Sequence, residues 1–185
     1  MEKVFGVVIL YNPASDVIQN IRSYAKKLSK LYIFDNSDAV VPLDLKELGS
    51  NIVYTADGIN KGIAERLNQA AAQAMAEEGD WLLTMDQDSF FDEQALDIYF
   101  SCITSSKEKE QVAMFGLEYE QKTGALNCES EETSFLITSG SLVNLELFKK
   151  IGGFDERLFI DEVDSEYCLR ANINGYKTVK FKNIF

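Results

Sequence analysis

The sequence predicts an α/β chain with a mostly parallel, Rossmann-like central sheet, helices on both of its faces and a mixed second half. Three observations carry that prediction. Short apolar runs of strand length alternate with amphipathic helical stretches from Val4 to Ser105, the grammar of parallel strands joined by right-handed crossovers. Several of those runs end in polar clusters, as strands do where ligands gather at the carboxyl edge of an open α/β sheet. Beyond Ser105 the alternation gives way to shorter apolar segments separated by acidic and glycine-containing stretches.

The first strand is Val4 to Leu10, a continuous, partly β-branched apolar run of the kind covered on both faces. It stops at Tyr11-Asn12-Pro13, where proline breaks the ladder. Ser15 or Asp16 then serves as N-cap for a helix whose Val17, Ile18, Ile21, Tyr24, Ala25 and Leu28 share one face. Leu31 to Phe34 is the second strand and ends in Asp35-Asn36-Ser37. Residues 38–50 form a mixed connection with a helical turn at Leu43 to Leu48, before a third strand at Asn51 to Thr55. The loop Asp57-Gly58-Ile59-Asn60-Lys61-Gly62 feeds a helix with Ile63, Leu67, Ala70, Ala71, Ala74 and Met75 as its apolar stripe and Gly79 as its stop. The N-terminus of that helix offers free backbone N–H groups to an anion.

The fourth strand lies in Asp80-Trp81-Leu82-Leu83-Thr84-Met85-Asp86-Gln87-Asp88-Ser89, with Trp81, Leu82 and Leu83 in the core. If the strand extends far enough, Asp86 and Asp88 project from one face, because residues i and i+2 do so in a pleated strand. Two adjacent carboxylates repel and need a partner charge. A helix follows from Asp92 to about Ser105, then a strand at Val112 to Leu117. Ala125 to Asn127 and Ser134 to Thr138 read as short strands on either side of the acidic segment Glu129 to Glu132. The remaining elements are a helix at Leu145 to Ile151, the loop Gly152-Gly153-Phe154-Asp155, a helix from about Glu162 to Asn172 and a strand at Tyr176 to Phe181.

Composition narrows the function classes. The 185 residues are 46% hydrophobic and suit one well-buried core. Thirty acidic against 18 basic residues give a net charge of −12, which opposes binding to nucleic acid or an anionic surface. A phosphorylated small molecule remains compatible, because a divalent ion bridges acidic side chains to anionic oxygens. There is no histidine, so acid–base work falls to Asp or Glu. Cys102, Cys128 and Cys168 are odd in number and widely spaced, indicating neither a disulfide framework nor a zinc site and pointing to a reduced cytosol. No apolar run is long enough to span a bilayer.

The order of five blocks resembles the inverting nucleotide-sugar glycosyltransferases of the GT-A fold, family 2, in their bacterial rhamnosyltransferase-like branch. The blocks are Val7 to Pro13, Phe34 to Ser37, Asn60 to Ala64, Leu83 to Ser89, and Gly152 to Glu156 followed by Phe159 to Ala171. The resemblance implies that Tyr11 and Asn12 border a nucleotide pocket and that Asp35 contacts the base or ribose. Asn60, Gly62 and Asn68 belong to the loop and helix closing over the nucleotide. Asp86-Gln87-Asp88 matches the Asp-x-Asp motif, with Asp88 and Asp86 holding Mn²⁺ or Mg²⁺ beside the donor diphosphate. Gly140, in Ser139-Gly140-Ser141, is placed near the donor sugar and acceptor, and the loop Gly152 to Asp155 shapes the acceptor side. Asp164 falls on the position of the catalytic base, with Asp161 as second choice.

On this resemblance the chain is expected to be one GT-A domain, residues 1–110 binding the nucleotide sugar and residues 111–185 carrying the acceptor site and base. The implied donor is a dTDP- or UDP-sugar, of rhamnose. The implied acceptor is a saccharide or lipid-linked saccharide in cell-surface polysaccharide synthesis. The expected location is the cytoplasm, including peripheral association with the inner face of the membrane. Family members continue past the strand at Tyr176 to Phe181 and supply a metal-binding histidine there, so the chain is expected to be truncated at its C-terminus. Two rival readings are a sugar-phosphate nucleotidyltransferase, which would need a basic, glycine-rich triphosphate loop that is absent here, and a nucleotide-sugar or metal-binding module without catalysis.

Overall fold

The structure is a computed structural model that describes residues 2–39, 43–92, 94–119 and 125–184. In chain order the strands are β1 (Val4–Leu10), β2 (Lys30–Asp35), β3 (Ile52–Ala56), β4 (Trp81–Asp86), β5 (Val112–Leu117), β6 (Ser130–Glu132), β7 (Ser141–Asn144) and β8 (Lys177–Phe181). The α-helices are α1 (Val17–Ala25), α2 (Gly62–Ala76), α3 (Ala95–Ser105), α4 (Leu145–Ile151) and α5 (Val163–Ile173). Among the described residues these eight strands form one sheet in the order β3-β2-β1-β4-β7-β5-β8-β6.

The β3-β2-β1-β4 half is parallel throughout. β7 then runs antiparallel to both β4 and β5, β5 and β8 are parallel, and β6 closes the edge antiparallel to β8. The predicted change from parallel to mixed therefore falls at β7.

Alternation along β1 shows how the sheet is sandwiched. Val8 and Leu10 pack with Ile21 and Tyr24 of α1 and Leu96 and Tyr99 of α3. Phe5 and Val7 pack with Leu67 and Ala71 of α2, Phe148 of α4 and Tyr167 of α5. Each of these large apolar side chains contributes about 1.5–3 kcal/mol by leaving water.

Several expectations are corrected by tertiary context. The acidic segment read as a spacer is itself the strand β6, while Ala125 to Asn127 and Ser134 to Thr138 are not strands. Side-chain pairing explains the exchange: Lys180, directly opposite Glu131 in the β6–β8 register, meets it at 3.7 Å, and Lys177 and Lys182 reach Glu132 at 2.6 Å and Glu131 at 2.8 Å diagonally. Helix α2 ends at Ala76, three residues before its expected stop at Gly79. Glu78 takes the left-handed conformation (φ +58°), and the Gly79 N–H donates back to the Ala74 carbonyl at 2.8 Å. Helix α3 begins at Ala95 rather than Asp92. Glu93 of that expected span, and residues 40–42 of the expected 38–50 connection, lie outside the described residues.

The cysteine expectation is also overturned. Cys102 of α3 and Cys128 form a disulfide, while Cys168 is free and buried. Spacing along the chain could not reveal this, because the two cysteines are brought together only when the segment after residue 124 folds back over α3. The argument for a reduced compartment from unpaired cysteines thereby loses its premise.

Candidate functional site

The carboxyl ends of β1, β2 and β4 lie side by side, and hydrogen bonds fasten the loops that leave them. The Gln87 side chain accepts the Tyr11 N–H at 3.0 Å and donates to the Tyr11 carbonyl at 3.2 Å, while Asn20 of α1 donates to the Gln87 carbonyl at 3.1 Å. The Asn12 N–H donates to Ser37 Oγ at 2.7 Å, and Asn12 itself has φ +46°. The Asn36 N–H continues from the sheet to the Leu10 carbonyl at 2.7 Å. Three strand-end loops are therefore held as one surface.

Above that surface is a cavity of about 480 Å³. Six expected residues line it: Tyr11, Asn60, Gly62, Asp86, Gln87 and Asp88. Asn36, Ile63 and Ile160 join them without having been singled out from the sequence. Strand β4 ends at Asp86, and the following turn, closed by the Ser89 N–H on the Asp86 carbonyl at 3.2 Å, carries Asp88. The two aspartates thus share the cavity through a turn, not through the strand pleat.

Other expected residues stand elsewhere. Asp35 has 0% of its surface exposed, and its carboxylate accepts the Ser37 N–H at 2.9 Å and the Tyr54 hydroxyl at 2.9 Å. It braces β2 against β3 beneath the cavity. Burial and this bond push the Tyr54 hydroxyl up to about 12. Asn68 binds the Phe154 backbone in both directions at 2.9 Å, tying α2 to the Gly152–Asp155 loop. Gly140 lines a neighbouring cavity. Asp161 is exposed in the loop before α5.

Asp164 is held at the first turn of α5. Its Oδ2 accepts the Thr138 N–H at 3.1 Å and its Oδ1 the Ser165 N–H at 2.8 Å. Thr138 leads into Ser139, whose Oγ accepts the Asp86 N–H at 3.4 Å. Burial first, then the charges of Asp88 and Asp164, raise the Asp86 carboxyl above the ordinary carboxylate range. Asp86 is therefore the point where the three carboxylates feel one another.

The most informative residue missed from the sequence is Arg66. Only 1% exposed, it donates to Asn36 Oδ1 at 2.7 Å, to Asp57 at 2.6 Å, to the Ile59 carbonyl at 3.1 Å and to Gln69 at 3.1 Å. Its guanidinium lies 5.2 Å from the Phe34 ring centre. Asn36 in turn donates to the Gly62 carbonyl at 3.0 Å. One buried cation thereby organises the whole loop from Asp57 to Gly62. An arginine on the apolar stripe side of a predicted helix, one residue before Leu67, was the available signal.

The expected free N-terminus of α2 is not free. The Phe159 carbonyl accepts the N–H of Ile63 at 2.6 Å and that of Ala64 at 3.3 Å. This contact requires Gly62, which has φ +73° and whose missing Cβ would lie 2.5 Å from the Phe159 oxygen.

The architecture agrees with a solved structure of GalNAc-T7 with UDP, GalNAc and Mn²⁺, at a TM-score of 0.72 over the whole chain and 44% of that protein, with 12% identity. The fold is GT-A. No protein-family profile matches the chain. A curated relative, the dTDP-rhamnosyl transferase RfbF of Shigella flexneri, is 22% identical over 188 aligned positions, covering 91% of this chain. The chain spans 62% of that relative's length.

Within this GT-A fold, Asp86 and Asp88 are the residues suited to a divalent ion. Among the described residues no group of three or more acidic or cysteine side chains forms a cage for a metal. The donor set nevertheless fits Mg²⁺ or a similar hard cation, which takes one or two carboxylates and completes its shell with water and substrate phosphates. A cation there would also offset the repulsion that raises the Asp86 carboxyl.

Proposed function

We propose that this chain carries the donor and base sites of a metal-assisted, inverting glycosyltransferase of family 2. It moves a sugar, rhamnose in our reading, from a nucleoside diphosphate to a saccharide or lipid-linked saccharide acceptor in cell-surface polysaccharide synthesis. The observation that carries the reading is the cavity at the carboxyl end of β4 lined by Asp86 and Asp88, with the Asp164 carboxylate bonded to Thr138 N–H next to Ser139, whose Oγ accepts the Asp86 N–H. The likeness to a dTDP-rhamnosyl transferase supports the donor class, and the GT-A fold supports nucleotide-sugar chemistry. Among the described residues no helix is long and apolar enough to cross a membrane. On the likeness to the dTDP-rhamnosyl transferase, and not on the cysteines, two of which are paired, we place the protein in the cytoplasm, docking peripherally at the membrane where a lipid-linked acceptor is used.

The nucleotide occupies the cavity lined by Tyr11, Asn36, Asn60 and Gly62, its diphosphate directed toward Asp86 and Asp88. A Mn²⁺ or Mg²⁺ ion supplies charge neutralisation for that diphosphate and for the leaving group. Asp164 takes the proton of the acceptor hydroxyl as that oxygen attacks the anomeric carbon from the face opposite the leaving group. The amide bonds from Thr138 and Ser165 hold its carboxylate in one orientation, so the base is placed before the acceptor arrives. Asn36, fixed by Arg66, and Gln87, fixed on Tyr11, keep the two sides of the nucleotide cavity at constant separation.

Calorimetry of nucleoside diphosphates and a donor-turnover assay, each with and without Mn²⁺, test this reading. Metal-dependent nucleotide binding is expected, and Asp164→Asn should leave it intact while lowering turnover by about 10²–10⁴-fold. Turnover unchanged in Asp164→Asn would defeat the assignment of the base.

A further inference from the structure

The disulfide joins two cysteines in unlike surroundings. Cys102, on α3, is 3% exposed, whereas Cys128 stands in an exposed stretch just before β6. Both line a cavity of about 420 Å³ together with Phe115, Val179 and Phe181 of the sheet. A thiol arriving from solvent therefore reaches the Cys128 side of the bond first. In the cytoplasm, where we place the chain, protein disulfides are rare, and those that form act chiefly as transient or redox-sensing groups.

What the bond holds is the outer edge of the sheet. β6 is three residues long, all of them exposed, and it is the last strand in the order, so apolar burial does little to fix it. The backbone bonds around it run to β8 and the residues just after. The Lys182 N–H donates to the Glu129 carbonyl at 2.9 Å, the Thr133 N–H to the Thr178 carbonyl at 2.9 Å and the Asn127 N–H to the Asn183 carbonyl at 3.3 Å. Glu129, Glu131 and Glu132 pair with Lys182, Lys180 and Lys177, but ion pairs at a surface contribute little and are screened by salt. The Cys102–Cys128 bond ties this edge across to α3. Beyond Thr133 the chain passes the buried Leu136 and reaches Thr138, whose N–H holds Asp164 Oδ2 at 3.1 Å.

We propose that Cys102–Cys128 is a thiol-exchange switch that opens at Cys128 and frees the segment from Asn127 to Thr133 while the rest of the domain stays folded. A dithiol reductant supplies the electrons. One of its thiolates attacks Cys128 Sγ, the S–S bond breaks, and Cys102 leaves as a thiolate that takes a proton from water. The second thiolate of the reductant then displaces Cys128 Sγ, which is protonated in turn, and the reductant departs as its own disulfide. The protein has gained two electrons and two protons. With the tether gone, the edge is held by its ladder and its salt-screened pairs, and the stretch leading to Thr138 loses one anchor. On the glycosyltransferase reading above, reduction thereby slackens the support of Asp164 and lowers turnover without altering nucleotide binding.

Dithiothreitol treatment of the native full chain, followed by iodoacetamide labelling, peptide mass spectrometry and hydrogen exchange, tests the switch. Reduced Cys128 should be alkylated about tenfold or more faster than Cys102, with Cys168 unlabelled, and 2-mercaptoethanol should leave its mixed disulfide on Cys128. The amides of Asn127, Thr133 and Lys182 should exchange about tenfold or more faster after reduction, and faster still in about 1 M NaCl, while those of β1, β2 and β4 keep their protection. Cys128→Ser should show the reduced pattern with no reductant present. A native disulfide that resists dithiothreitol, an adduct on Cys102 or unchanged protection at the edge would overturn the proposal. Loss of protection throughout the sheet would overturn it too, because the bond would then be a structural staple of the whole domain. Equal turnover in the two redox states would overturn the link to Asp164, whereas absence of turnover in both would defeat the glycosyltransferase reading and leave the exchange result to decide the switch.

Discussion

The carbonyl of Phe159 accepts the Ile63 N–H at 2.6 Å, so the loop that leads to Asp164 is seated on the first turn of the helix bordering the cavity at the strand ends. Phe159 has φ +60° and ψ −66°, and the Ile160 N–H reaches the Leu158 carbonyl at 2.7 Å. This is a γ-turn of the rarer, strained hand. Such a conformation costs on the order of 1–3 kcal/mol and persists only when its surroundings hold it. The Ile63 and Ala64 amides do so.

Gly62→Ala should break this seat. Its Cβ would collide with the Phe159 backbone and its φ of +73° disfavours any side chain. A loss of about 1–3 kcal/mol in urea unfolding is expected, with weakened nucleotide binding measured by calorimetry. An unchanged midpoint would show that Phe159 relocates freely.

Arg66→Met removes the bonds to Asn36, Asp57 and Ile59 while filling much of the same volume. Buried acceptors left without donors should lower stability by about 1–3 kcal/mol. Lysine at this position reaches fewer partners and should rescue only part of the loss.

The same pair sets a pH dependence. Arg66 holds the Asp57 carboxyl below its ordinary value. A depressed carboxylate contributes stability that is fully present above its unfolded pKa of about 3.9 and is lost as pH falls through the folded value. Acid unfolding followed by fluorescence should therefore show a contribution, surviving near pH 4 and vanishing below, that Asp57→Asn removes.

Mass-spectrometric alkylation distinguishes the three cysteines. Burial pushes the Cys168 thiol up to about 12, so it remains protonated and unreactive at pH 8 in the native protein. Unfolding without reductant should expose one reactive thiol, and unfolding with reductant three. Reducing the Cys102–Cys128 bond, which closes a separation of 26 residues, should lower stability by about 3 kcal/mol.

Asp88→Asn should weaken Mn²⁺-dependent nucleoside-diphosphate binding at least tenfold, about 1.4 kcal/mol. Chelation with EDTA should have the same effect on the unmodified protein. Equal affinity with and without metal would remove the ion from the site.

Much of the fold was legible because each element has a local cause. The apolar run of β1, the amphipathic stripe of α2 and the Asn144 side chain that caps α4 through the Leu147 N–H at 3.0 Å are all written in neighbouring residues. Strand β6 was missed because its pairing depends on lysines nearly fifty positions away. At the site, Asp86, Gln87 and Asp88 were visible as a motif at a strand end. Asp35 and Asn68 were visible only as residue types at suggestive positions, and the structure gives their polar atoms to Tyr54, Ser37 and Phe154.

By itself the sequence determined the alternation of strands and helices and the strand-end location of the acidic motif, since burial periodicity and chain breaks are local properties. It also determined that these 185 residues contribute no imidazole. Tertiary structure alone decided that Asp164 is bonded to the Thr138 N–H beside Ser139, whose Oγ accepts the Asp86 N–H, that Arg66 binds Asn36 across from its own helix and that Phe159 occupies the start of α2. Those relationships join residues tens of positions apart, and only the closing of the sheet brings the bonded groups together.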